Sequence, residues 1–209
     1  MRKVVVVVEN HSMSDADRKV TICFFCRHQN EAHLLFCQDC NKILTASTNF
    51  FSKFGYPITF DIDLADCKNR YIDMQSKVHP DLFVKKSEIE QTLALNASSY
   101  LNVAYNILQD PLSRSKYILS LYNIDVDLNA QKYFTESPDF LDEIMDLNEL
   151  QSKINNDEDQ IIFAQEISGK ISALLLNIAN DFKEKNYNQA AIDTIKLKYY
   201  QRASNTYHN

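Results

Sequence analysis

Residues 64–81, LADCKNRYIDMQSKVHPD, decide the fold of this chain. Apolar side chains recur in this stretch at intervals of three and four, which places them on one stripe of a helix; they are Leu64, Cys67, Tyr71, Met74 and Val78. Pro80 disfavours helical geometry at His79, so the helix is predicted to end at about Val78. A second amphipathic run begins at Ser87. The pattern predicts two packed helices joined by a loop, His79-Pro80-Asp81, that presents an acid beside a rigid proline and suits docking to a basic partner.

Length and composition indicate a mostly helical protein with a substantial core. The 209 residues contain only two glycines and four prolines, too few for the turns of a strand meander. The net charge of −6 argues against wrapping nucleic acid. No apolar run approaches the ~20 residues of a membrane span. The run Val4–Val8 is shorter than a secretory apolar region, and the acids after it are atypical of organellar targeting peptides, so we expect an intracellular protein.

Capping signals mark the predicted helix boundaries. Thr59 or Asp61 can cap the first long helix. Ser87 and Glu90 form a capping box at the start of the second, and Asp110-Pro111 provides an N-cap followed by a proline at the first helical position. These signals predict helices that begin near residues 62, 88 and 111.

Four cysteines form two CxxC pairs separated by ten residues: Cys23, Cys26, Cys37 and Cys40. Each pair is typical of a knuckle whose thiolates converge on one ion, and two knuckles complete a tetrahedron. Zinc suits four thiolates, and iron in a rubredoxin-like site uses the same geometry. Because no ligand position is left open, the predicted role is structural. Disulfides are the alternative, which an intracellular location disfavours.

Three more helices are predicted after a polar linker. Ser137-Pro138 repeats the N-cap and first-position signal, and helical segments follow near 138–155, 158–184 and 187–204. Their short connections imply antiparallel neighbours, which together form a three-helix bundle.

The helix that begins at residue 138 has two apolar faces. One stripe contains Phe140, Ile144, Leu147, Leu150 and Ile154. Leu141 and Met145 fall more than about 100° from the centre of that stripe, so they cannot serve the same core. With Asp146 and Glu149 beside it, the Leu141–Met145 pair resembles a docking patch with an acidic rim. The alternative is that the pair packs against the preceding domain.

Short motifs along the chain resemble a known family. Those in the order of a J-domain are Asn49-Phe50-Phe51, Lys77-Val78-His79-Pro80-Asp81, Asn102-Val103-Ala104-Tyr105 and Asp110-Pro111-Leu112-Ser113-Arg114. Those that then resemble the HscB-type co-chaperones of iron–sulfur cluster assembly are Tyr117-Ile118-Leu119-Ser120-Leu121 and Phe140-Leu141-Asp142-Glu143. The similarity runs from about residue 49 to residue 203, and the CxxC pairs resemble the zinc module that some members carry.

The resemblance implies an all-α fold in which a J-domain helical hairpin precedes a C-terminal three-helix bundle. The predicted regions are a disordered leader at 1–19, a tetracysteine metal-binding knuckle module at 20–45, the J-domain at 48–122, a linker at 123–136 and the bundle at 137–205.

The resemblance also implies a co-chaperone without catalytic activity of its own. The loop His79-Pro80-Asp81 would contact a DnaK/HscA-class heat-shock chaperone and stimulate its ATPase, and the bundle would deliver an IscU-type iron–sulfur scaffold to it. The residues expected to bind the chaperone are those of the loop with Lys68, Arg70 and Lys77. Those expected to bind the scaffold are Leu141, Met145, Asp146, Glu149, Lys198 and Tyr199, with Tyr200 as the rival of Tyr199. The expected compartment is the bacterial cytoplasm or the mitochondrial matrix.

Several alternatives stay open at this stage. The chain could be a general J-protein that delivers unfolded clients, or an electron carrier with iron in the tetracysteine module. Arg70 and Lys77 each follow an aspartate by four residues, so both could form local ion pairs instead of binding a partner. A catalytic role is disfavoured because the sequence has no glycine-rich phosphate loop and no nucleophile elbow.

Overall fold

The computed structural model describes residues 20–44, 49–128, 138–152, 154 and 156–205, with side chains for all of them except 138–140. The predicted leader at 1–19 lies outside the described residues, as does 129–136 of the predicted linker. The described elements are the strands β1 (Val20–Ile22) and β2 (Gln29–Glu31) and the helices α1 (Phe50–Lys53), α2 (Leu64–Val78), α3 (Glu88–Gln109), α4 (Pro111–Leu121), α5 (Pro138–Ser152), α6 (Asp157–Lys183) and α7 (Tyr187–Asn205), with a 3-10 helix at Pro80–Phe83 between α2 and α3. The predicted helical fold with a small cysteine module is confirmed.

Two compact units divide the chain. The first takes its described residues from Met1–Ile58, Ala65–Asn106 and Leu121–Asn123, and the second from Thr59–Leu64, Ile107–Ser120 and Ile124–Asn209. Most of α4 therefore groups with the C-terminal helices, because Leu119 is buried in their core with Val126, Ala190, Ala191 and Ile195. The J-domain predicted from the sequence, at 48–122, includes α4, and its C-terminal limit stays a prediction.

Helices α2 and α3 form an antiparallel hairpin in the first unit. Gln75 and Ser98 exchange hydrogen bonds across it, and the rings of Tyr71 and Tyr105 stack with their centroids 4.3 Å apart. Cys67, Met74 and Val78 of the predicted stripe are buried, whereas Leu64 is exposed at the first turn. The hairpin holds the loop His79-Pro80-Asp81 at the end where α2 stops.

The caps of these helices match the sequence signals in two of three cases. At the start of α3, the Ser87 hydroxyl donates to the Glu90 carboxylate at 2.8 Å, and at α4 the Ser113 N–H donates to Asp110 Oδ2 at 2.8 Å. The predicted cap of α2 is wrong: the helix begins at Leu64, and Thr59 Oγ1 accepts from the N–H of Asp61 in a turn before it. A threonine hydroxyl can accept a hydrogen bond from the N–H two residues later in a local turn, and such a bond does not by itself start a helix.

Helix α7 is surrounded by apolar neighbours in the second unit. Its fully or almost fully buried residues include Ala190, Ala191, Thr194, Ile195, Leu197 and Tyr200. These residues cover more than half of the helix circumference, so no single apolar stripe marks the buried face of α7. Helix α6 directs an apolar stripe inward, in which Phe163, Ile167 and Ile178 are buried.

Among the described helices, α6 is long and apolar enough to cross a membrane by length and composition. The sequence analysis found no uninterrupted apolar run of that length, and Glu166 and Lys170 do interrupt this one. A core helix of a soluble protein meets the same criteria, so a single helix of this kind is weak evidence for a membrane span.

Two carboxylates of the second unit are held away from water. Burial raises the pKa of Asp193 more than the hydrogen bond from Gln189 Nε2, at 3.0 Å, lowers it. Burial and the nearby charge of Asp193 also raise the pKa of Asp181, whose buried Oδ2 has no hydrogen-bond partner among the described residues. The folded chain therefore binds a proton on either carboxyl group more tightly than the unfolded chain does.

We expect Asp193→Asn to stabilise the second unit at neutral pH by about 1 kcal/mol, because the amide keeps the bond from Gln189 without burying a charge. A raised pKa means that the folded chain binds the proton more tightly than the unfolded chain, so stability falls as the pH rises above the usual aspartate value of 3.8. Melting curves of the two proteins should coincide near pH 4 and separate near pH 8. Asp142→Asn, at an exposed position of α5, is the control. A variant that melts below the parent protein at the higher pH would contradict the prediction.

Candidate functional site

The loop after α2 presents Asp81 to solvent on a fixed turn. Pro80 begins the 3-10 helix Pro80–Phe83, and the N–H of Leu82 donates to the His79 carbonyl at 3.0 Å. The N–H of Asp81 donates to His79 Nδ1 at 3.4 Å. The side chain of Asp81 is 84% exposed. The backbone of the loop is thus held by local bonds while its carboxylate remains open to a partner.

Exposed apolar side chains follow Asp81 in the chain, and the sequence pattern did not predict their exposure. Leu82 and Val84 are both more than half exposed, although they follow an amphipathic helix directly. They stand one and three residues after Asp81 in the chain, which makes the tip of the hairpin partly apolar. Their exposure could have been predicted from the sequence, because neither residue continues the apolar stripe of α2 or of α3.

The three basic residues of α2 that are predicted to bind the chaperone differ in their ion pairing. Lys77 pairs with Asp73 at 2.7 Å and Arg70 pairs with Asp66 at 2.7 Å, as the alternative interpretation of their spacing predicted. Lys68 is exposed. None of the three cations is thereby shown to bind a chaperone, and that role stays a prediction.

Arg70 has a structural role besides its ion pair. Its guanidinium donates to the Phe54 carbonyl at 2.9 Å and lies 4.6 Å from the centroid of the Tyr56 ring. It also passes over Gly55, where a Cβ would stand 2.9 Å from Arg70 Nη1 and where φ is +72°. A side chain at position 55 would displace Arg70, so this glycine fits both the turn and the close approach.

The four cysteines of the CxxC pairs converge in space. Their sulfur atoms all lie within 4.8 Å of one another, with 3.6 Å between Cys23 and Cys40 and 3.5 Å between Cys26 and Cys37. A tetrahedral ion bound to four sulfurs at about 2.3 Å requires sulfur separations of about 3.8 Å. All five cysteines of the chain are among the described residues and none forms a disulfide. The cluster can therefore hold a metal ion.

The surroundings of the cluster favour a thiolate at Cys37, whereas the pKa values of Cys26 and Cys40 are raised. Burial raises the pKa of the Cys37 thiol. Hydrogen bonds from the backbone N–H groups of Cys40 and Asp39 and from Asn30 lower it by more, so that the pKa is about 6. The Asn30 amide is itself buried, and its oxygen accepts the N–H of Gln38 at 2.9 Å. Donors directed at sulfur stabilise the deprotonated form that a metal requires.

The cysteine module packs on the helices of the first unit through a buried lysine. Lys53 of α1 is only 4% exposed, and its ammonium donates to the carbonyls of Leu34 at 2.6 Å and Ala32 at 3.5 Å. Burial lowers its pKa to about 8. Lys42 adds a more exposed ion pair with Glu90 of α3, at 2.9 Å. The sequence analysis did not foresee this contact, because a lysine in an amphipathic helix is usually solvated.

We expect removal of the metal with a chelator to release the module from the helices of the first unit, because a structural metal supplies much of the folding energy of such a module. Amide hydrogen exchange should then become fast over residues 20–44, and the amides around Lys53 should lose part of their protection. The amides of α6 and α7 are the internal control and should keep theirs. Unchanged exchange over 20–44 after chelation would show that the module folds without metal.

The predicted docking pair on α5 is exposed. Leu141 is 46% and Met145 is 68% exposed, and the acids Asp146 and Glu149 next to them are also exposed. The stripe predicted to face the core is only partly correct: Leu147 is buried, but Leu150 is exposed. Leu147, Asn148 and Gln151 line the groove against α7 but Leu150 does not, so Leu150 lies on a side of α5 that α7 leaves open.

The structure distinguishes the environments of Tyr199 and Tyr200 on α7, which the sequence pattern could not do. Tyr200 is 3% exposed, and its hydroxyl bonds the Glu143 carboxylate, so it belongs to the core. Tyr199 is half-buried and lines a groove of about 290 Å³ between α5 and α7. Lys198 pairs with Asp127 at 2.7 Å, and Lys116 holds the other oxygen of that carboxylate at 2.8 Å. Both hydrogen bonds lower the pKa of Asp127.

Comparisons with known sequences match both halves of this arrangement. Residues 136–208 match the family described as the HSCB C-terminal oligomerisation domain. A co-chaperone protein HscB homolog of Colwellia psychrerythraea is 33% identical over 161 residues, which are 74% of this chain and 91% of that protein. The iron-sulfur cluster co-chaperone protein HscB homolog of Arabidopsis thaliana is 27% identical over 206 residues, which are 94% of this chain and 81% of that protein.

Solved structures agree with the architecture. The crystal structure of human co-chaperone protein HscB superposes with a TM-score of 0.81 over 88% of this chain and 95% of that one, at 24% identity, which shows a shared fold. The chaperone HscB from Vibrio cholerae gives a TM-score of 0.66 at 28% identity, covering 76% of this chain and 94% of that one.

Proposed function

The chain belongs to the HscB family of co-chaperones, and from that membership we propose that it works in iron–sulfur cluster biogenesis with two separate docking surfaces. The bundle binds an IscU-type scaffold protein, and the loop His79-Pro80-Asp81 stimulates the ATPase of a DnaK/HscA-class chaperone to which the scaffold is delivered. The protein itself has no catalytic activity in this proposal. Its contribution is to bring the two partners together.

The observation that carries the proposal is the open carboxylate of Asp81 on a turn fixed by local bonds. A carboxylate forms its strongest polar contacts with an arginine of a partner, because both groups are charged and the hydrogen bonds can be bidentate. Pro80 restricts the loop before binding, so less conformational entropy is lost when the complex forms. The exposed side chains of Leu82 and Val84 can add apolar contact beside the charge.

The second surface is proposed from the exposed pair on α5. Leu141 and Met145 supply an apolar centre, and Asp146 and Glu149 supply an acidic rim that favours a basic region of the scaffold. Tyr199 on α7 is proposed to extend the surface, and Lys198 to contribute through its exposed part while it pairs with Asp127.

For the tetracysteine cluster we propose zinc in a structural role. The four thiolates of Cys23, Cys26, Cys37 and Cys40 match its usual ligand set, and the separations of the sulfurs support a closed tetrahedral site. When bound, the ion supplies a cross-link between the two knuckles. Iron in the same site would give visible absorption and an electron-transfer role, so metal analysis and an absorption spectrum of the purified protein separate the two possibilities.

Single-turnover ATP hydrolysis by a DnaK/HscA-class chaperone tests the proposed function. Adding the protein should accelerate hydrolysis, and adding the protein with an IscU-type scaffold should accelerate it further. An unfolded, reduced polypeptide should not replace the scaffold. If it replaces the scaffold fully, the chain is a general J-protein. If the protein does not accelerate hydrolysis at all, the proposal is wrong.

A further inference from the structure

A groove lies between the cysteine module and the turn that follows α1, and the proposed function does not use it. Its volume is about 560 Å³, which falls in the range of sites that bury a small ligand or several side chains. Ala32 of the module forms part of one wall, and Pro57 and Ile58 form part of the other. Pro57 is exposed and Ile58 is half-buried, so much of this carbon surface remains in contact with water.

The described part of the chain begins at this groove. Val20 lines the groove and is 39% exposed, so residues 1–19 join the protein at the groove itself. The one run of consecutive apolar residues in this leader is Val4–Val8, and the residues 9–19 separate it from Val20. When extended, that stretch spans about 36–40 Å. The run can therefore turn back to the groove, and a short tether keeps it there at an effective concentration on the order of 1 mM.

The valine run has an apolar side that suits these walls. Valine favours extended backbone, because its branched side chain packs well on a pleated surface. Alternate residues of an extended segment point to the same side, so Val4, Val6 and Val8 share one side of the run. The hydrophobic effect favours covering both this carbon surface and the carbon surface of the groove walls.

The charges of the groove and of the leader are complementary. Glu31 is the one carboxylate among the described residues that line the groove, and its side chain is 69% exposed. The one ion pair that Glu31 forms among the described residues is with His33, at 3.4 Å, and that pair requires a protonated imidazole. Arg2 and Lys3 come directly before the valine run. A run that lies in the groove can therefore place a cation at the open Glu31 carboxylate.

We propose that Val4–Val8 binds in this groove of the same chain as an extended segment, with Arg2 and Lys3 next to Glu31. The bound run bridges the module and the turn after α1, so it adds a contact that fastens the module to the helices of the first unit. The sequence analysis expects a disordered leader, whereas this contact ties residues 4–8 to the protein. The inference does not depend on the proposed function, because neither partner protein takes part in the contact.

Tryptophan fluorescence tests the proposed contact, because the chain has no tryptophan of its own. Val5→Trp and Val6→Trp each place an indole in the run, and Met13→Trp places one in the leader outside it. Because neighbouring side chains of an extended segment point to opposite sides, acrylamide should quench one of the first two indoles about threefold less than the third. Equal quenching at all three positions would contradict the inference.

Reversed charges test the ionic part of the contact. In the shielded tryptophan variant, Glu31→Lys places a cation opposite Arg2 and Lys3, so quenching by acrylamide should rise about twofold. Arg2→Glu with Lys3→Glu should have the same effect, and combining both changes should restore the shielding. Gln29→Lys adds a cation at an exposed position of β2 that does not line the groove, and it should leave quenching unchanged. If Glu31→Lys and Gln29→Lys behave alike, the inference is wrong.

Photo-cross-linking identifies the occupant of the groove. With p-benzoylphenylalanine in place of His33, irradiation of the purified full-length chain should give a cross-linked peptide that contains Val4–Val8. The mass of the protein should remain that of one chain. A product of twice that mass would assign the groove to a second copy, and this result or the absence of a cross-link to the leader would overturn the inference.

Discussion

Replacing Asp81 with alanine is expected to abolish the stimulation of ATP hydrolysis by the chaperone and to leave binding of the scaffold unchanged. Asp81 is 84% exposed, and its carboxylate contacts only the neighbouring His79, at 3.5 Å, among the described residues. The substitution therefore removes little that holds the loop. If the carboxylate pairs with an arginine of the chaperone, its loss leaves that partner's charge unsatisfied in the interface and costs about 2 kcal/mol or more. This corresponds to at least about thirtyfold weaker affinity, so little stimulation should remain at a concentration that half-saturates the parent complex.

Two variants sharpen the measurement of this effect. Asp81→Asn keeps the shape of the side chain and its ability to accept hydrogen bonds but removes the charge, so most of the stimulation should still be lost. Glu184→Ala removes an exposed carboxylate from the second unit and should behave like the parent protein. Single-turnover hydrolysis and scaffold binding are measured on the same samples. Normal stimulation by Asp81→Ala would exclude the loop as the docking element.

Replacing Leu141 and Met145 together with alanine is expected to have the opposite result. Two apolar anchors in an interface contribute together about 3 kcal/mol when their contacts are lost, so scaffold binding should weaken on the order of a hundredfold. The folded chain should keep its stability, because both side chains are largely in water before binding. Stimulation of the chaperone without scaffold should be unchanged, since the loop is in the other unit.

A matched control for the double variant lies on the next helix. Ile161 and Ile162 of α6 are both more than half exposed, so Ile161→Ala with Ile162→Ala removes a similar amount of exposed carbon without touching the docking pair. Scaffold affinity, measured by calorimetry, should drop only for the variant on α5. Loss of both scaffold binding and ATPase stimulation in either the Asp81 variant or the α5 variant would contradict two separate surfaces.

Local signals predicted the helices well because they act within a few residues. The proline after His79 ended α2 at Val78, the Ser87 and Glu90 box opened α3, and Asp110-Pro111 opened α4. Each signal works through a backbone bond or a steric clash within four positions. The family was also predicted correctly, since its motifs are short and occur in a fixed order.

Long-range packing was outside the reach of these signals. The periodicity of α7 does not indicate which face is buried, because the buried residues cover more than half of the helix circumference. The periodicity of α5 was also misleading at Leu150, which it assigned to the core although the side chain is exposed. The burial of Lys53 was also unpredictable, because the carbonyls that accept from it belong to Leu34 and Ala32, some twenty residues earlier in the chain.

The sequence by itself therefore determined the helical fold, the family and the convergence of four cysteines, since spacing along the chain fixes local geometry. Only the tertiary structure decided which side chains each surface offers to a partner. It buried Tyr200 and exposed Met145, it tied Lys198 to Asp127, and it brought the cysteine module against the turn after α1 to form a groove. Exposure depends on atoms contributed by distant residues, and the pattern of one helix contains no information about them.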